Sequence, residues 1–582
     1  MLQGSTLDVK QSGTRVFGIR PLSPFLPLTL KLPMSDLTGA DLVARTLAHA
    51  GVTHLFSLSG NHVMPIYDAA LDAHLAITHT RHEGAAVHMA DAWGRLTGEP
   101  GVALLTGGPG HANGVGALYT ALASESPVVL LSGHAPLREL GKGSFQEVRQ
   151  ADMAAPVTKA SWTAQSTDGL GEDIRRALCI ATSGRPGPVH LSLPFDLLEA
   201  RAGAGKLPEP ATFRAPQRSL GEAEANAALE VIAQAQRPLI LVGALMSNGR
   251  SSAVRERLAA GLGVPVLCME SPRGLNDPAS GALADVVSRA DLIVLLGKEP
   301  DFTLRFGQAP AIARNCQFVV IDPEAAALER AVEVLGAQRV TLAAIADSVA
   351  AAERLLERVS EKHIARRGWI EEVEAAVRWR PPEWPLLQSS AAGPVHPVEV
   401  GRAVQSLVEA SKNAVFISDG GEFGQWAQAC VHASTRLING QGGSIGSAIP
   451  FALATKIARP DATVIAMTGD GACGFHLLEI ETAVRAQLPL VIVVGNDACW
   501  NAEHQIQLRT YGRARAHGCE LTPARYDLVA AALGGHGEYV TRPADLQAAL
   551  VRAASSGKPA VVNVMIERLP APTVGTVPRA AQ

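Results

Sequence analysis

Aromatic residues are scarce in this chain, since Phe, Trp and Tyr make up 4% of its 582 residues. An excess of charge of either sign is also missing, because the formal net charge is only -4. A nearly neutral balance gives no electrostatic indication of binding to nucleic acid or to an anionic membrane. We therefore expect a small-molecule substrate, and neither a nucleic-acid partner nor a membrane partner.

The cysteines form no recognisable pattern. They are odd in number, scattered, and contain no C-x-x-C pair, which argues against a disulfide framework and against a zinc site. This usage favours a reducing, cytoplasmic compartment. The seven residues are Cys179, Cys268, Cys316, Cys430, Cys473, Cys499 and Cys519.

Long apolar runs are missing as well. No stretch reaches the roughly 18 residues that a membrane-spanning helix needs. The opening segment "FGIRPLSPFLPLTLKLP" has its apolar positions interrupted by prolines, which suits neither a membrane span nor a signal-peptide core. We interpret residues 1–34 as an N-terminal extension with little order.

Helical segments alternate with short β-rich runs such as "THLFSL", "GVALLTG" and "PVVLLSG", a pattern typical of α/β folds with parallel sheets. Two stretches rich in Pro, Gly and Ala interrupt the alternation, so the length and the pattern together predict three domains. The expected division is an extension (1–34), a first domain (35–200), a linker (201–218), a central domain (219–355), a helical linker (356–395), a third domain (396–570) and a tail (571–582).

The third domain contains an α/β unit with an acid at each end, "GDGACGFHLLEIETAVRAQLPLVIVVGND". Asp470 follows one buried strand, and Asn496 and Asp497 follow the next. The carboxyl ends of parallel strands are where open α/β sheets bind ligands, so these side chains should converge. Carboxylate and carbonyl oxygens suit Mg²⁺, and the glycines let backbone N–H groups approach phosphate. A lone G-D-G would more often be a turn with a helix cap and no ligand, but the second polar pair disfavours that alternative.

This unit resembles the G-D-G, two dozen residues, N-N motif of the thiamine-diphosphate-dependent decarboxylases and carboligases of the acetolactate synthase type. The resemblance implies that Asp470 and Asp497 bind Mg²⁺ through their side chains and Cys499 through its backbone carbonyl. It also places Gly471 and Ala472 beside the cofactor. Asp497 stands where the family usually has a second Asn, which keeps an oxygen ligand and adds a negative charge.

A second match lies in the first domain, where "RHEGAAVHMADAWGRLTG" resembles the family's R-H-E-x-A-A segment. The resemblance implies that Glu83 is the activating glutamate, which shares a proton with the pyrimidine ring so that the neighbouring amino group acts as a base near C2. Such a role requires a partly desolvated carboxylate. Taken alone, Glu83 would be interpreted as a first-turn helix charge.

Two further segments complete the resemblance, which spans roughly residues 37 to 567. "DGGEFGQWAQ" resembles D-V-G-Q-H-Q-x-W and implies that Gly421, Glu422 and Phe423 lie near the diphosphate, with Phe423 where a His is common. "GQGGSIGSAIP" resembles G-x-G-T-M-G-F-G-L-P and places Gly443, Ser444 and Ile445 at the cofactor. Ile445 would be the apolar wedge that bends thiamine.

Two alternative interpretations concern other parts of the same chain. "GGSIG" also fits the G-x-S-x-G nucleophile elbow of serine hydrolases, and His476 and His504 follow it, but the preceding segment is a poor buried strand. In the central domain "FVVIDPEAA" places an acid after a strand, and relatives bind FAD or ADP there. A satisfied helix cap explains this acid equally well.

The substrate is indicated by two acid/base candidates. His62 in "FSLSGNHVMPIYDA" resembles the proton-moving histidine of benzaldehyde lyase, with a structural histidine as an equal alternative. Glu503 in "ACWNAEHQIQLRTYG" resembles a segment of 2-hydroxyacyl-CoA lyases, with a first-turn helix carboxylate as the alternative. The last residues, "PAPTVGTVPRAAQ", hold one Arg, which weakens the acyl-CoA version.

The resemblance implies the thiamine-diphosphate-binding fold, with a pyrimidine domain, a central domain and a diphosphate domain. It implies Mg²⁺ and a cofactor that bridges two subunits, so that a homodimer or homotetramer is expected. The leading expectation is an acetolactate-synthase-like condensation of 2-oxo acids. The alternative is a lyase of the benzaldehyde lyase or 2-hydroxyacyl-CoA lyase type.

Overall fold

The computed structural model describes residues 37–203, 207–247, 251–359 and 366–574. The expected extension (1–34) and the last eight residues of the expected tail lie outside the described residues. The described chain contains three sheets, and every strand pairing between their strands is parallel. This is the α/β architecture that the alternating pattern predicts.

The first domain is a six-stranded sheet of order β2-β1-β3-β4-β6-β5. Its inner strands are buried along their whole length because helices cover both faces, which explains their continuous apolar runs. The strands are β1 (His54–Leu58), β2 (Ala76–His79), β3 (Gly101–Leu105), β4 (Val128–His134), β5 (Ala160–Thr163) and β6 (Pro188–Pro194). The helices are α1 (Gly39–His49), α2 (Met64–Asp72), α3 (Glu83–Thr97), α4 (Pro109–Ala123), α5 (Gln150–Ala154), α6 (Leu170–Thr182) and α7 (Phe195–Glu199).

The central domain is a five-stranded sheet of order β11-β10-β9-β7-β8. Its strands are β7 (Pro238–Val242), β8 (Val266–Cys268), β9 (Leu292–Leu296), β10 (Gln317–Asp322) and β11 (Val340–Ile345). Its helices are α8 (Glu222–Gln234), α9 (Ser252–Leu262), α10 (Leu283–Val287), α11 (Ala325–Leu335), α12 (Ser348–Arg358) and α13 (Arg367–Arg378).

Helix α13 falls in the segment that the sequence suggests is a linker, yet it packs into the central domain. Trp369, Val373 and Ala376 form one apolar stripe that joins the core of the central sheet. The indole N–H of Trp369 donates to the carbonyl of Pro238 at the start of β7 (2.9 Å). The high charge of this segment belongs to the solvent face of an amphipathic helix.

The third domain is a six-stranded sheet of order β13-β12-β14-β15-β17-β16. Its strands are β12 (Val415–Ser418), β13 (Thr435–Ile438), β14 (Val464–Gly469), β15 (Leu490–Asn496), β16 (His536–Val540) and β17 (Pro559–Met565). Its helices are α14 (Pro397–Glu409), α15 (Gly421–Cys430), α16 (Ala448–Ala458), α17 (Asp470–His476), α18 (Glu479–Arg485), α19 (Asn501–Thr510), α20 (Tyr526–Ala532) and α21 (Pro543–Ser555).

The first and third domains share one apolar core. Helices α3 and α16 pack together, and the cluster runs from Phe56 and Met89 in the first domain to Phe451 and Ile492 in the third. Arg95 of α3 spans the contact, because its guanidinium lies over the Phe451 ring and donates to the carbonyl of Ile438 (2.8 Å). The carboxyl edges of both sheets, where ligands bind, are therefore held in one assembly.

All seven cysteines are free thiols. No helix among the described residues combines the length and the apolar character needed to cross a membrane.

Candidate active site

The two acids predicted to bind metal lie at neighbouring strand ends. Strand β14 ends at Gly469 and α17 begins at Asp470, while the adjacent β15 ends at Asn496, one residue before Asp497. The backbone N–H of Cys499 donates to Asp470 Oδ2 (3.3 Å), which ties the two strand ends together. The crossover between them is two short helices, α17 and α18, separated at Leu477–Leu478.

Asp470 is buried, Asp497 is half-buried, and the charge of Asp470 acts on the carboxyl of Asp497. Burial raises the pKa of Asp470 to about 6. Burial and the neighbouring Asp470 raise the pKa of Asp497 to about 7. Two close carboxylates with little solvent suit a hard divalent cation, because the cation removes the repulsion and supplies the missing countercharge. The donor set therefore fits Mg²⁺.

A supporting contact that the sequence does not reveal comes from Arg568, just beyond β17. Its guanidinium donates to the carbonyl of Asp497 (2.9 and 3.2 Å) and to that of Ala498 (3.1 Å). Glu520 accepts from the same guanidinium (2.8 and 3.0 Å). Ala498 has a left-handed backbone (φ 53°), so Arg568 stabilises a strained turn that carries Asp497 and Cys499.

The sulfur of Cys499 remains a neutral thiol near pH 7, since burial raises its pKa to about 12. Its Sγ lies within 4.8 Å of donor atoms of His504 and Glu520, but Glu520 is engaged by Arg568. The expected role of Cys499 as a carbonyl ligand thus needs no contribution from the side chain. Next to Asp470, Gly471 faces the indole of Trp500, where a Cβ would come within 2.6 Å, and Ala472 is buried.

Asp419 is a second residue that sequence reasoning missed, although its position after β12 is a signal of the same kind as Asp470. Its carboxylate accepts from the backbone N–H groups of Gly420 and Gly446 (3.0 Å each) and of Ala448 (3.3 Å). It also accepts from the hydroxyl of Thr468 (3.4 Å). Asp419 thus joins the loop before α15, the loop before α16 and the end of β14.

The loop that carries Gly443, Ser444 and Ile445 is fixed by these bonds and by its packing. A side-chain methyl of Ile445 lies 3.0 Å from the point where Gly420 would carry a Cβ, so a larger residue at 420 would displace it. Asn439 donates to the carbonyl of Ser444 (3.0 Å). Ser444 lies in an irregular segment between the edge strand β13 and α16, which differs from the strand-turn-helix of a nucleophile elbow.

Helix α15 begins with the second group of expected cofactor contacts. Gly421 has φ 79° and open space around its Cβ position. Glu422 is 7% exposed, burial raises its pKa, and Gln425 donates to its carboxylate (3.1 Å). The ring of Phe423 packs into the core against Gly495, where a Cβ would come within 2.5 Å of it. Phe423 therefore packs against the end of β15 from the core side.

Glu83 opens α3 at the carboxyl edge of the first sheet. Its carboxylate accepts from the side-chain amide of Asn113 on α4 (3.0 Å). Gly110 lies close beside it, since a Cβ there would come within 3.4 Å of Glu83 Oε1. The side chain is half-buried, which is the partly desolvated setting that a proton-sharing carboxylate requires.

His62 lies at the same edge, in a short turn after β1. It is 4% exposed, its ring stacks on Phe145 (6.2 Å between centroids), and Phe195 lies edge-on (6.3 Å). Nδ1 is 3.4 Å from the hydroxyl of Thr106. Burial lowers the pKa of His62, so its imidazole is neutral near pH 7. The resemblance implies a proton-moving histidine here, and a neutral ring can accept a proton.

Glu503 is exposed on the first turn of α19 and raises the pKa of Glu422 by its charge. Beside them is a cavity of about 680 Å³ between the central and third domains. Arg273, Arg305 and Arg509 line it together with the start of the tail, residues 571–574. These arginines come from three distant segments, which is why the C-terminal sequence alone shows no cationic cluster.

The acid in "FVVIDPEAA" is Asp322, at the end of β10. It is 2% exposed, accepts from the N–H of Glu324 (3.0 Å) and is ion-paired with Arg185. Arg185 belongs to the first domain and also pairs with Glu125 of that domain, so its ion pair with Asp322 crosses the boundary to the central domain. Asp322 is not the N-cap of α11, which is Glu324, but its carboxylate is engaged by this turn contact and by Arg185.

Comparison with known protein families agrees with this geometry. The model of the thiamine pyrophosphate enzyme N-terminal TPP binding domain matches residues 37–153. The models of the central domain and of the C-terminal TPP binding domain match residues 225–347 and 419–564. These matches cover all three domains, and the chain belongs to the thiamine pyrophosphate enzyme family.

Within that family the chain is similar to acetolactate synthases and to 2-hydroxyacyl-CoA lyases. A probable acetolactate synthase of Mycobacterium bovis is 34% identical over 92% of this chain and 97% of its own length. A 2-hydroxyacyl-CoA lyase 2 of Homo sapiens is 30% identical over 91% of this chain and 90% of its own. A 2-hydroxyacyl-CoA lyase of Arabidopsis thaliana is 27% identical over 91% and 96%.

Proposed function

We propose that the chain is a thiamine-diphosphate- and Mg²⁺-dependent enzyme that joins 2-oxo acids in an acetolactate-synthase-like condensation. The observation that supports the cofactor part is the pair of acids at neighbouring strand ends, the buried Asp470 and the half-buried Asp497. The substrate class is supported by the similarity to a probable acetolactate synthase along nearly the whole chain.

The roles of the chain's own residues follow from their positions. Asp470, Asp497 and the carbonyl of Cys499 would hold Mg²⁺, and Gly421, Gly443 and the backbone around Gly471 would approach the diphosphate. Ile445 would support the bend of the cofactor. Thiamine diphosphate, when bound, supplies the carbon nucleophile for chemistry next to a carbonyl.

Glu83 would hold a proton against the pyrimidine ring, and Asn113 fixes the orientation of its carboxylate. His62, neutral and enclosed by Phe145 and Phe195, would accept a proton from the substrate side. Enclosure by aromatic rings also keeps water away from that side of the site.

A homodimer or homotetramer is part of this proposal, with the cofactor between the first domain of one subunit and the third domain of another. Exposed apolar side chains around the metal-binding unit support it, namely Phe475 and Leu478, each 56% exposed in the single chain. A cytoplasmic location stays a prediction.

Product formation tests the substrate class. The Mg²⁺-thiamine diphosphate form would be incubated separately with pyruvate, benzoylformate, benzoin and a 2-hydroxyacyl-CoA, and products identified by proton NMR. Carbon dioxide release and a condensed product from a 2-oxo acid support the proposal. Products from benzoin or from the acyl-CoA alone would make the enzyme a lyase.

The arginine-lined cavity favours a second candidate, cleavage of a 2-hydroxyacyl-CoA. Arg273, Arg305 and Arg509 are all exposed into one space next to Glu422 and Glu503, which suits a substrate with an anionic tail. Replacement of Arg273 and Arg305 by Ala would then raise KM for the acyl-CoA and leave KM for pyruvate unchanged. An equal effect on both substrates would count against a tail-binding role.

We further propose that the central domain acts without FAD or ADP, since Asp322 is committed to Arg185 and to the N–H of Glu324 in the turn before α11. The protein purified from its native source or from a recombinant host would then show no visible flavin absorption and release no nucleotide on denaturation. A stoichiometric flavin or ADP in the released fraction would refute this part.

A further inference from the structure

The segment between β2 and α3, residues 80–82, leads directly into Glu83, and helix α18 of the third domain contacts its backbone. Glu479, the first residue of α18, is 1% exposed. Its Oε1 accepts from the N–H groups of Arg81 (2.9 Å) and His82 (3.0 Å). Its Oε2 accepts from the hydroxyl of Thr482 (2.6 Å). All three hydrogen bonds are therefore donated to the single buried carboxyl group of Glu479.

The other end of α18 contacts the same segment with opposite polarity. Arg485 donates to the carbonyl of His79, the last residue of β2 (2.6 Å). An anion on the two amides and a cation on the preceding carbonyl therefore hold the backbone on both sides of the turn. Thr80 adds a bond within the turn, from its hydroxyl to the carbonyl of His82 (3.0 Å).

We propose that Glu479 is a positioning residue for Glu83, which fixes the backbone of residues 79–82 and so sets the place of the Glu83 carboxylate relative to the cofactor ring. The inference rests on the proposed role of Glu83. Glu479 itself touches neither substrate nor cofactor in this account. Its effect is geometric, and a displacement of about 1 Å in such a site can cost roughly a hundredfold in rate.

The position of Glu479 makes this coupling specific. The residue belongs to the crossover between Asp470 and Asp497, so the unit that carries one subunit's proposed metal ligands holds the turn before the same subunit's Glu83, which in the proposed dimer faces the cofactor held by the other subunit. If Glu479 served only to hold the two domains together, its carboxylate could accept hydrogen bonds from any part of the first domain. Here both amide bonds go to the two residues immediately before Glu83.

Three variants separate positioning from general stability. Glu479→Ala removes all three acceptor contacts, Glu479→Asp withdraws the carboxylate by one methylene, and Glu479→Gln keeps the shape and an oxygen for the two amides. Glu481→Ala is the matched control, because Glu481 lies on the same helix and forms only surface ion pairs with Arg81 and Arg485.

The first readout is amide hydrogen exchange of residues 79–84 in the cofactor-free protein. We expect faster exchange there in Glu479→Ala and Glu479→Asp, and wild-type exchange in Glu481→Ala. The second readout is deuterium exchange at C2 of bound thiamine diphosphate without substrate. It should fall by about tenfold or more in the Ala and Asp variants, with cofactor affinity kept within about threefold, and Gln should restore most of it.

Wild-type C2 exchange in a folded Glu479→Asp or Glu479→Ala variant would overturn the proposal. A loss of cofactor affinity as large as the loss of C2 exchange, without rescue by Gln, would also overturn it, because the residue would then stabilise the metal-binding unit instead. If the wild-type protein shows no C2 exchange at all, the proposed function fails. Unchanged amide exchange at residues 79–84 in the variants would reject the backbone contact independently.

Discussion

At the scale of single residues, the protonation of Asp470 and Asp497 affects the stability of the fold and the binding of a metal ion in opposite directions. Both carboxyls would bind a cation only when deprotonated, yet burial raises the pKa of each above that of the unfolded chain, and the charge of Asp470 raises the pKa of Asp497 further. The folded protein therefore takes up protons that the unfolded chain releases, and the metal-free fold loses stability as pH rises from about 4 to about 7.

Magnesium affinity is expected to rise over the same range. Protons compete with the metal below the pKa of about 7 for Asp497, so thermal stabilisation by Mg²⁺ with thiamine diphosphate should be larger at about pH 8 than at about pH 5.5. Melting temperatures with and without Mg²⁺ across this range measure the effect. Asp497→Asn should flatten the pH dependence, and a wild-type shift that is equal at both ends would be inconsistent with these two ligands.

At the scale of elements, the third domain depends on one buried carboxylate that joins three loops. Asp419 accepts from three backbone N–H groups and one hydroxyl. The loop with Ile445 and the end of β14 with Asp470 are thereby held in register. We therefore expect cofactor binding to depend on Asp419, which lies behind the residues proposed to contact the cofactor.

Asp419→Asn should lower the free energy of unfolding by about 1–3 kcal/mol, since the amide group turns an N–H toward backbone N–H groups and leaves donors unpaired. It should weaken thiamine diphosphate binding as well, because the loop with Ile445 is released. Urea denaturation and calorimetric titration measure the two effects. Asp461→Asn, at an exposed turn, is the control, and wild-type affinity in a folded Asp419→Asn protein would contradict this role.

How far sequence reasoning reaches also differs between elements. Strand ends that carry acids, as in β14 and β15, are visible because the residues are close in sequence to a buried apolar run. Other contacts come from distant segments: Arg568 bonds the backbone of Asp497, Asn113 bonds the carboxylate of Glu83, and Glu479 bonds the turn before Glu83. The local sequence around these three residues does not reveal their contacts. Helix α13 was interpreted as a linker because its charged face dominates the composition and hides the Trp369 stripe.

At the scale of the whole molecule, the alternating pattern and its interruptions predict three α/β domains. They do not predict that the first domain packs on the third. That packing is made by α3 and α16, whose apolar residues fit any buried helix. The cavity with Arg273, Arg305 and Arg509 is likewise a property of the assembled chain.

Assembly into at least a dimer should depend on the exposed apolar residues beside the metal-binding unit. Leu478→Asp is expected to weaken self-association by about tenfold or more, because a charge would be buried at the contact. Sedimentation velocity over a dilution series measures this, and thiamine diphosphate binding should become dependent on protein concentration. Val551→Asp on α21 is the control of similar exposure. A Leu478→Asp protein that associates like wild type would remove this surface from the interface.

The central claim is that Glu83 and the Asp470–Asp497 pair together form a working thiamine diphosphate site. Deuterium exchange at C2 of the bound cofactor, followed by acid quench and proton NMR without any substrate, tests it most directly. The account predicts rapid exchange that requires Mg²⁺, that slows by about 10² to 10⁴-fold in Glu83→Gln with the cofactor still bound, and that is lost with binding in Asp470→Ala. Exchange as slow as that of free cofactor in the wild type, or equally fast in Glu83→Gln, would contradict it.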